Sequence, residues 1–425
     1  MEITLENTGP NTKLLKVQIP SVTVRQAFDE FYARLAPKAK VAGFRPGKVP
    51  RAILEKNFHQ EAKDEVIRHA IPHAYQEIVA EKQLQPAIPP LILKIDWKLD
   101  DSLYFEAQVD LVPSIKLPEY RGIAVEVDPV DVSDGDVEEA ICHLRDKHAQ
   151  LVPLTGRGLR PGDVVLLDQK ISVEDQVLEE SKDLTYELDE KRLSPEVYRE
   201  LLDGRAGDNK EASLKIPEHY PKKEWVGKPA KISLAIKEIK EKKLPELNDD
   251  FAKDVGEYEG LNDLKGKIRE NIQATKAEMT KMQAESKINE FLVRNSKMDL
   301  PLRLIERQKK HLHEIAQEKG QAPEKPDDVY WQALTARATD QLKLYFIYKL
   351  IANLQNIAPA QTEFEERIAQ IARKIGQSPA VVRAYYKKDD RMEDLRERIM
   401  QDKVAEFLLS QAKIKTVPVQ RGKAA

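Results

Sequence analysis

The sequence predicts an α+β protein of several domains: an α+β N-terminal unit, a β-rich middle and an all-α C-terminal part. Three observations carry this. At 425 residues the chain exceeds what one hydrophobic core usually spans. Apolar residues alternate with period two near the start and again between about 164 and 239, and beyond Leu244 they recur almost wholly at helical spacing. The composition, 41% apolar and 33% charged with a formal charge of -3, is that of a soluble globular protein and names no partner by bulk charge. No run approaches the roughly eighteen uncharged apolar residues of a membrane span. Met1-Glu2-Ile3-Thr4 opens a strand-like segment, not a basic-then-apolar signal peptide, so a cytoplasmic protein without a membrane partner is expected. The single cysteine, Cys142, excludes an internal disulfide and a cysteine-rich metal cage, and is expected as a small apolar residue on a helix.

Alternation in Glu2 to Asn7 and Leu14 to Ile19, around the turn residues Asn7-Thr8-Gly9-Pro10, predicts a hairpin. Thr23, with Gln26 three positions later, reads as a capping box for a helix through Lys40, with Val24, Phe28, Phe31 and Leu35 on one face. Pro50 suits the first turn of a second helix, because the N–H it lacks would have no partner there. The apolar positions Ile53, Leu54, Phe58, Val66, Ile67 and Ile71 continue that helix to Pro72, where a kink or break is expected. A second hairpin is predicted from Ile92 to Leu99 and Leu103 to Val112, turning at Asp100-Asp101-Ser102.

Between the two helices stands AGFRPGKVP, Ala42 to Pro50, with two glycines, two prolines, two cations, one aromatic and no acid. From Arg34 to Lys56 there are seven cations (Arg34, Lys38, Lys40, Arg45, Lys48, Arg51 and Lys56) against the single acid Glu55. A basic projection ending in an aromatic suits a surface of phosphates with a small apolar socket: the cations attract, and the ring gives a desolvated anchor. The alternative is an ordinary helix–helix loop whose Phe44 folds back onto its own domain. The whole segment from 1 to 112 holds 15 cations and 15 acids, so the basic patch is confined to this loop.

Gly43-Phe44-Arg45, followed by Gly47-Lys48 and Pro50, resembles the ribosome-docking signature of the trigger factor family, chaperones at the ribosomal tunnel exit. The resemblance implies that Phe44 and Arg45 contact the large-subunit protein beside the exit while nearby cations face ribosomal RNA. Pro46 stands where the family commonly has a cation, which removes one charge and stiffens the loop. The resemblance also implies nascent and unfolded polypeptides as partners, no cofactor, and a free form that can pair as a homodimer.

The segment from 114 to 150 reads as a linker, with alternation in Ile123 to Val127 and a helix begun by Ser133 or Asp134. From about 155 to 240, turns at Gly156, Gly158, Pro161-Gly162-Asp163, Asp203-Gly204 and Ala206-Gly207-Asp208 separate the predicted strands Val164 to Ile171, Ala212 to Ile216 and Ala230 to Ile239. This order resembles the FKBP-type prolyl isomerase domain of trigger factors, which twists an X-Pro amide over a barrier of about 20 kcal/mol in an apolar aromatic pocket. Active members carry a run like Val/Ile-Pro-Gly-Phe/Trp-Glu; here the run is Leu193-Ser194-Pro195-Glu196-Val197-Tyr198, and Ile232 replaces a late-strand aromatic. The candidate pocket is Tyr186, Pro195, Val197, Tyr198, Tyr220 and Trp225, and isomerase activity is expected to be weak or absent. Core packing of a small β-domain accounts for these aromatics equally well.

Leu244-Pro245-Glu246-Leu247-Asn248-Asp249-Asp250-Phe251-Ala252 resembles the family's junction between isomerase domain and helical body. Helices are then predicted from Asn262 to Asn295, from Pro301 to Gly320, and from Pro326 to Asn356, the last with the apolar cluster Leu342, Leu344, Tyr345, Phe346, Ile347, Tyr348, Leu350 and Ile351. Thr362 to Ile375, Pro379 to Lys387 and Met392 to Ile414 complete them. In the family such helices form a cradle for unfolded chains. The expected division is 1–113 ribosome-binding, 114–150 linker packing with the C-terminal body, 151–243 isomerase-like, and 244–425 helical cradle.

Other chemistries have little support. No Gly-rich phosphate loop precedes a helix and no Gly-x-Ser-x-Gly elbow appears. His69 and His73, four apart, and His311-x-His313 have no cysteine or carboxylate at ligand spacing, so solvated histidine is expected and no metal site. Three readings remain: an ATP-independent chaperone docked at the ribosome, a prolyl isomerase as the main activity, or a basic RNA-binding protein. Domain order and the confined basic patch favour the first.

Overall fold

The computed structural model describes all residues except 46, 98–101, 175, 217–224, 388–390 and 418–425. The chain forms two compact units, one of 1–128 with 281–425 and one of 129–280.

The first unit opens with β1 (Glu2–Gly9) and β2 (Thr12–Ile19), an antiparallel hairpin, followed by α1 (Ser21–Leu35), α2 (Arg51–Asn57) and α3 (His59–Glu81). β3 (Leu91–Trp97) and β4 (Leu103–Asp110) complete an antiparallel sheet in the order β1-β2-β4-β3. One face is apolar by alternation, and Leu15, Val17, Ile19, Leu103, Phe105, Ala107 and Val109 bury it against Val24 of α1 and Val66, Ile71, Ala74 and Ile78 of α3. Each large side chain so buried contributes about 1.5–3 kcal/mol.

Three local expectations are corrected here. The Thr23 capping box does not form: α1 is entered from Pro20, whose φ of -61° is already set, and the helix stops at Leu35, not Lys40. The break falls at Phe58 (φ -120°, ψ 22°), between α2 and α3, while α3 runs through Pro72. The lost backbone bond at Pro72 is outweighed because Ile71, Ala74 and Ile78 on the same helix are held against the sheet. Asp100 and Asp101, assigned to the second hairpin turn, lie outside the described residues.

β5 (Ala124–Val127) follows. In the second unit, Ser133 caps α4 (Asp134–Lys147) and Asp136 closes the capping box back onto it. Cys142 lies on α4, as expected, but with its thiol exposed, not packed. β6 (Gln150–Pro153), β7 (Val164–Val173), β8 (Gln176–Glu187), α5 (Pro195–Leu201), β9 (Asn209–Lys215) and β10 (Pro229–Lys243) build an antiparallel sheet around β10, which pairs with β7 along one edge and with β9 and β6 along the other. β8, on the outside of β7, is absent from the sequence reading. α6 (Asp249–Val255), capped by Asn248, packs Phe251 and Ala252 with Leu264.

α7 (Leu261–Asn295) carries the chain back into the first unit, where α8 (Leu302–Glu318), α9 (Asp328–Gln355), α10 (Gln361–Ile375), α11 (Pro379–Tyr386) and α12 (Arg391–Gln411) follow. The predicted helix to Ile414 ends at Gln411, and β11 (Lys413–Thr416) pairs in parallel with β5. α9 has apolar residues around most of its circumference because it is buried on several sides. Leu342 and Phe346 meet Leu304 of α8, whereas Ile347 and Ile351 meet Ile288 and Leu292 of α7 and Val404 and Leu408 of α12. Phe346, Leu342 and Leu304 also enclose Ile88, which precedes β3. Beside them Arg303 Nη1 stands 3.3 Å from the buried Asp110 Oδ2, and Asn11 Nδ2 donates to Asp299 O at 2.7 Å.

Candidate functional site

The loop from 36 to 50 is pinned at both ends. Ala39 and Val49 are buried with Tyr32, Leu54 and Ala62, and Phe28, Phe31, Leu35 and Ile53 pack around them. Amides of Lys38 and Ala39 donate to Leu35 O at 2.9 and 2.8 Å, turning the chain out of α1. Between the pins the backbone makes two successive turns, closed by Phe44 N–H to Val41 O at 3.1 Å and Lys48 N–H to Arg45 O at 3.0 Å. Gly43 and Gly47 each stand third in one of these turns, with φ of 86° and 80°. Open space surrounds both, so glycine is required by the left-handed backbone and not by crowding. Pro46 lies outside the described residues.

Phe44 is carried between the two turns and is 41% exposed. Of the seven cations, Arg51 is engaged within the fold: its guanidinium reaches Glu55 at 2.6 Å and Asp29 at 2.8 Å and lies over the Tyr32 ring at 4.1 Å. Arg34 pairs with Glu65 at 3.4 Å. Lys38, Lys40, Arg45, Lys48 and Lys56 are exposed, and among the described residues none of them has a carboxylate within ion-pairing distance. An exposed ring among unpaired cations can bind a surface that supplies both negative charge and an apolar recess. The Tyr32–Ala39–Val49–Leu54 base is missed by sequence reading, although the apolar positions flanking the loop carry the signal. The role of Arg51 is half legible, since Glu55 lies four residues on while Asp29 is distant in sequence.

The middle-unit residues behave differently. Val197 is 7% exposed and Ile232 4%, and both lie in one core with Leu159, Leu167, Leu201 and Leu234, against which Tyr186 and Tyr198 pack. Tyr186 Oη donates to Gln169 Oε1 at 2.7 Å, and burial raises its phenol above the usual value. Pro195 opens α5 and is exposed. Trp225 packs in a separate cluster with Val173, Ile216 and Ala230, with Lys228 Nζ 4.8 Å from its ring. Tyr220 lies outside the described residues. The structure therefore brings Tyr186, Val197 and Tyr198 together as packing and places Trp225 in a neighbouring cluster that shares Ile171 and Leu214 with theirs.

The histidines are ordinary side chains. His69 and His73 are exposed, and the expectation that no carboxylate stands at ligand spacing is corrected: each faces a glutamate four residues away on its own helix, Glu65 at 3.0 Å and Glu77 at 3.6 Å. His313 Nδ1 is 2.9 Å from Tyr330 Oη. Among the described residues no three histidine, cysteine or carboxylate side chains come together as a metal-ligand set, and no helix is long and apolar enough to cross a membrane.

With this geometry in place, comparison with known proteins is informative. Residues 1–144 match the family model described as bacterial trigger factor protein, and 260–410 match the one described as its C-terminus. The trigger factor of Citrifermentans bemidjiense is 29% identical over 98% of this chain and 99% of its own length. That of Carboxydothermus hydrogenoformans is 27% identical over 97% and 100%. A solved structure of the trigger factor chaperone, described for promiscuous substrate recognition in folding and assembly, shares the fold with a TM-score of 0.53 at 22% identity, over 97% of this chain and 100% of that one. Both ends of the chain match models of one family and its curated relatives align along nearly the full length: the chain belongs to the bacterial trigger factor family.

Proposed function

We propose that this chaperone docks on the large ribosomal subunit through the loop from 36 to 50 and holds nascent or unfolded chains without nucleotide. The observation that carries the reading is Phe44, held outside the core by two glycine turns amid five cations that have no carboxylate partner among the described residues. In this reading Gly43 and Gly47 shape the loop, Phe44 fills an apolar recess on the protein beside the tunnel exit, and Arg45 and Lys48, with Lys38, Lys40 and Lys56, meet ribosomal RNA. Such attraction weakens as salt rises. Residues 1–113 serve as the docking part, 114–150 as a linker, 151–243 as the isomerase-like part and 244–425 as the cradle of a cytoplasmic, ribosome-associated protein. Holding an unfolded chain withdraws it from aggregation by mass action, and no fuel is needed.

The test is co-sedimentation with ribosomes. Phe44→Ala with Arg45→Ala should abolish it while the melting temperature is unchanged; a variant that still pellets with ribosomes rejects the docking claim.

Isomerase chemistry in the middle unit is weak or absent in this reading, because Val197 and Ile232 occupy core positions where an X-Pro substrate needs an aromatic recess. In a proline-limited refolding assay the full chain should leave the slow phase near its uncatalysed rate, tens of seconds or longer. Robust acceleration would overturn the claim.

A further inference from the structure

We propose that the outer edge of β3 is a docking strand for extended apolar segments of unfolded polypeptide, joined to it by backbone pairing. The inference rests on the chaperone reading and adds to it a site and a mode of binding.

The two edges of the N-terminal sheet are built differently. On β1 the exposed positions include Glu2, Thr4 and Glu6, and Glu6 is tied to Lys16 of the neighbouring strand at 2.6 Å. On β3 three large apolar residues are exposed, Leu91 at 44%, Leu93 at 52% and Ile95 at 40%. Open sheet edges are ordinarily guarded by charge, proline or shortness, because unpaired N–H and C=O groups recruit a further strand. β1 follows that rule and β3 does not. The β3 cation, Lys94, lies 3.4 Å from Asp96 on the same strand, which lessens its force as a guard. Among the described residues no strand pairs with β3 on the side away from β4.

The register identifies the occupant. Pairing with β4 shifts between Ile92 and Lys94, so Leu93 forms a bulge that divides the edge into two short runs. A second copy adding its own β3 would place one interrupted strand against another. β3 is seven residues long, so at about 3.3 Å per residue a strand-to-strand contact runs only about 23 Å, short for the sole contact holding two folded copies together. A flexible extended chain adapts to the bulge: main-chain hydrogen bonds supply sequence-independent affinity, and Leu91, Leu93 and Ile95 favour apolar side chains. Such binding is weak and reversible, as holding a client that must later fold requires.

The experiment uses the full-length protein and reduced, carboxymethylated α-lactalbumin, a chain that cannot refold. Hydrogen exchange followed by mass spectrometry should show client-dependent slowing in β3 and none in β1. Leu91→Lys with Leu93→Lys should remove that slowing and weaken client binding about tenfold, the scale of two partly buried leucine contacts. Ribosome co-sedimentation should be unchanged. If the lysines disturb the sheet, Leu91→Thr with Leu93→Thr keeps strand-favouring residues and tests the same loss. A wild-type protein that suppresses aggregation while its β3 amides stay unprotected overturns the proposal and leaves the chaperone reading standing. A wild-type protein that neither binds this client nor suppresses aggregation removes the chaperone reading, and this inference with it. Slowing that grows with protein concentration in the absence of client makes a second copy the occupant and overturns the choice made here.

Discussion

The loop from 36 to 50 and the core around Val197 and Ile232 both contain residues singled out in the sequence as candidate contact groups, and the fold treats them in opposite ways. Phe44 is kept out of the core by work done elsewhere: Ala39 and Val49 anchor the loop ends, and two left-handed glycines aim the backbone between them. Val197 and Ile232 close with Leu201 and Leu234 into one interior against which Tyr186 and Tyr198 pack. Phe44 stays exposed because the backbone geometry of its loop denies it a partner. A pocket lined by movable aliphatic groups fills itself, because each buried methylene contributes about 0.8 kcal/mol.

The largest effect that could break this comparison is on stability. Ile232→Ala should destabilise the middle unit by roughly 2–5 kcal/mol, the cost of a core truncation and the cavity it leaves. Phe44→Ala should change the stability of the first unit by no more than about 0.5 kcal/mol, as at other surface positions without special contacts. Urea unfolding followed by hydrogen exchange, which reports each unit separately, gives both values. Similar costs at the two positions would erase the distinction: either Phe44 would be part of the core or Ile232 would line an open recess.

How much of this was legible in the sequence depended on how local the cause was. The alternation of Leu15, Val17 and Ile19 declares β2 and its buried face, and the Gly-Phe-Arg-x-Gly-Lys spacing declares an exposed loop, because the glycines that shape it are in the sequence itself. β8 could not be read this way. It is an edge strand rich in charge, with Glu179, Glu180, Lys182 and Asp183 facing solvent, so the period-two apolar signal is missing. Pro72 misled for the complementary reason: a local rule says break, while distant residues of the sheet hold the helix together. The division of the loop cations into engaged and unpaired was likewise hidden, since the Asp29 that engages Arg51 is brought near only by the packing of α1 beside α2. In the middle unit, the identities of Val197 and Ile232 were visible in sequence. Burial of Val197 and Ile232 in one interior was not, because it is a property of β10 and α5 meeting in space.

The smallest effect that sharpens the comparison is a titration. A tyrosine lining an open, watered pocket ionises near 10, whereas one covering a core resists taking up charge. Burial is the larger cause of the raised Tyr186 phenol, with the nearby Glu179 carboxylate adding to it, and the Oη proton is donated to Gln169 within the fold. The sign follows from linkage. With the folded value above the unfolded one, the neutral phenol contributes stability that is fully present below about pH 10 and is lost as pH rises through the raised value. Difference absorbance at alkaline pH, compared between the native chain and Tyr186→Phe, should therefore show a tyrosine missing from the late part of the curve and none missing from the early part. An added Pro-containing peptide should leave that late step where it is. If the step moves with peptide, or if the absent tyrosine is one that ionises near 10, Tyr186 faces a working pocket, and the middle unit resembles the loop from 36 to 50 in leaving an aromatic group open to solvent.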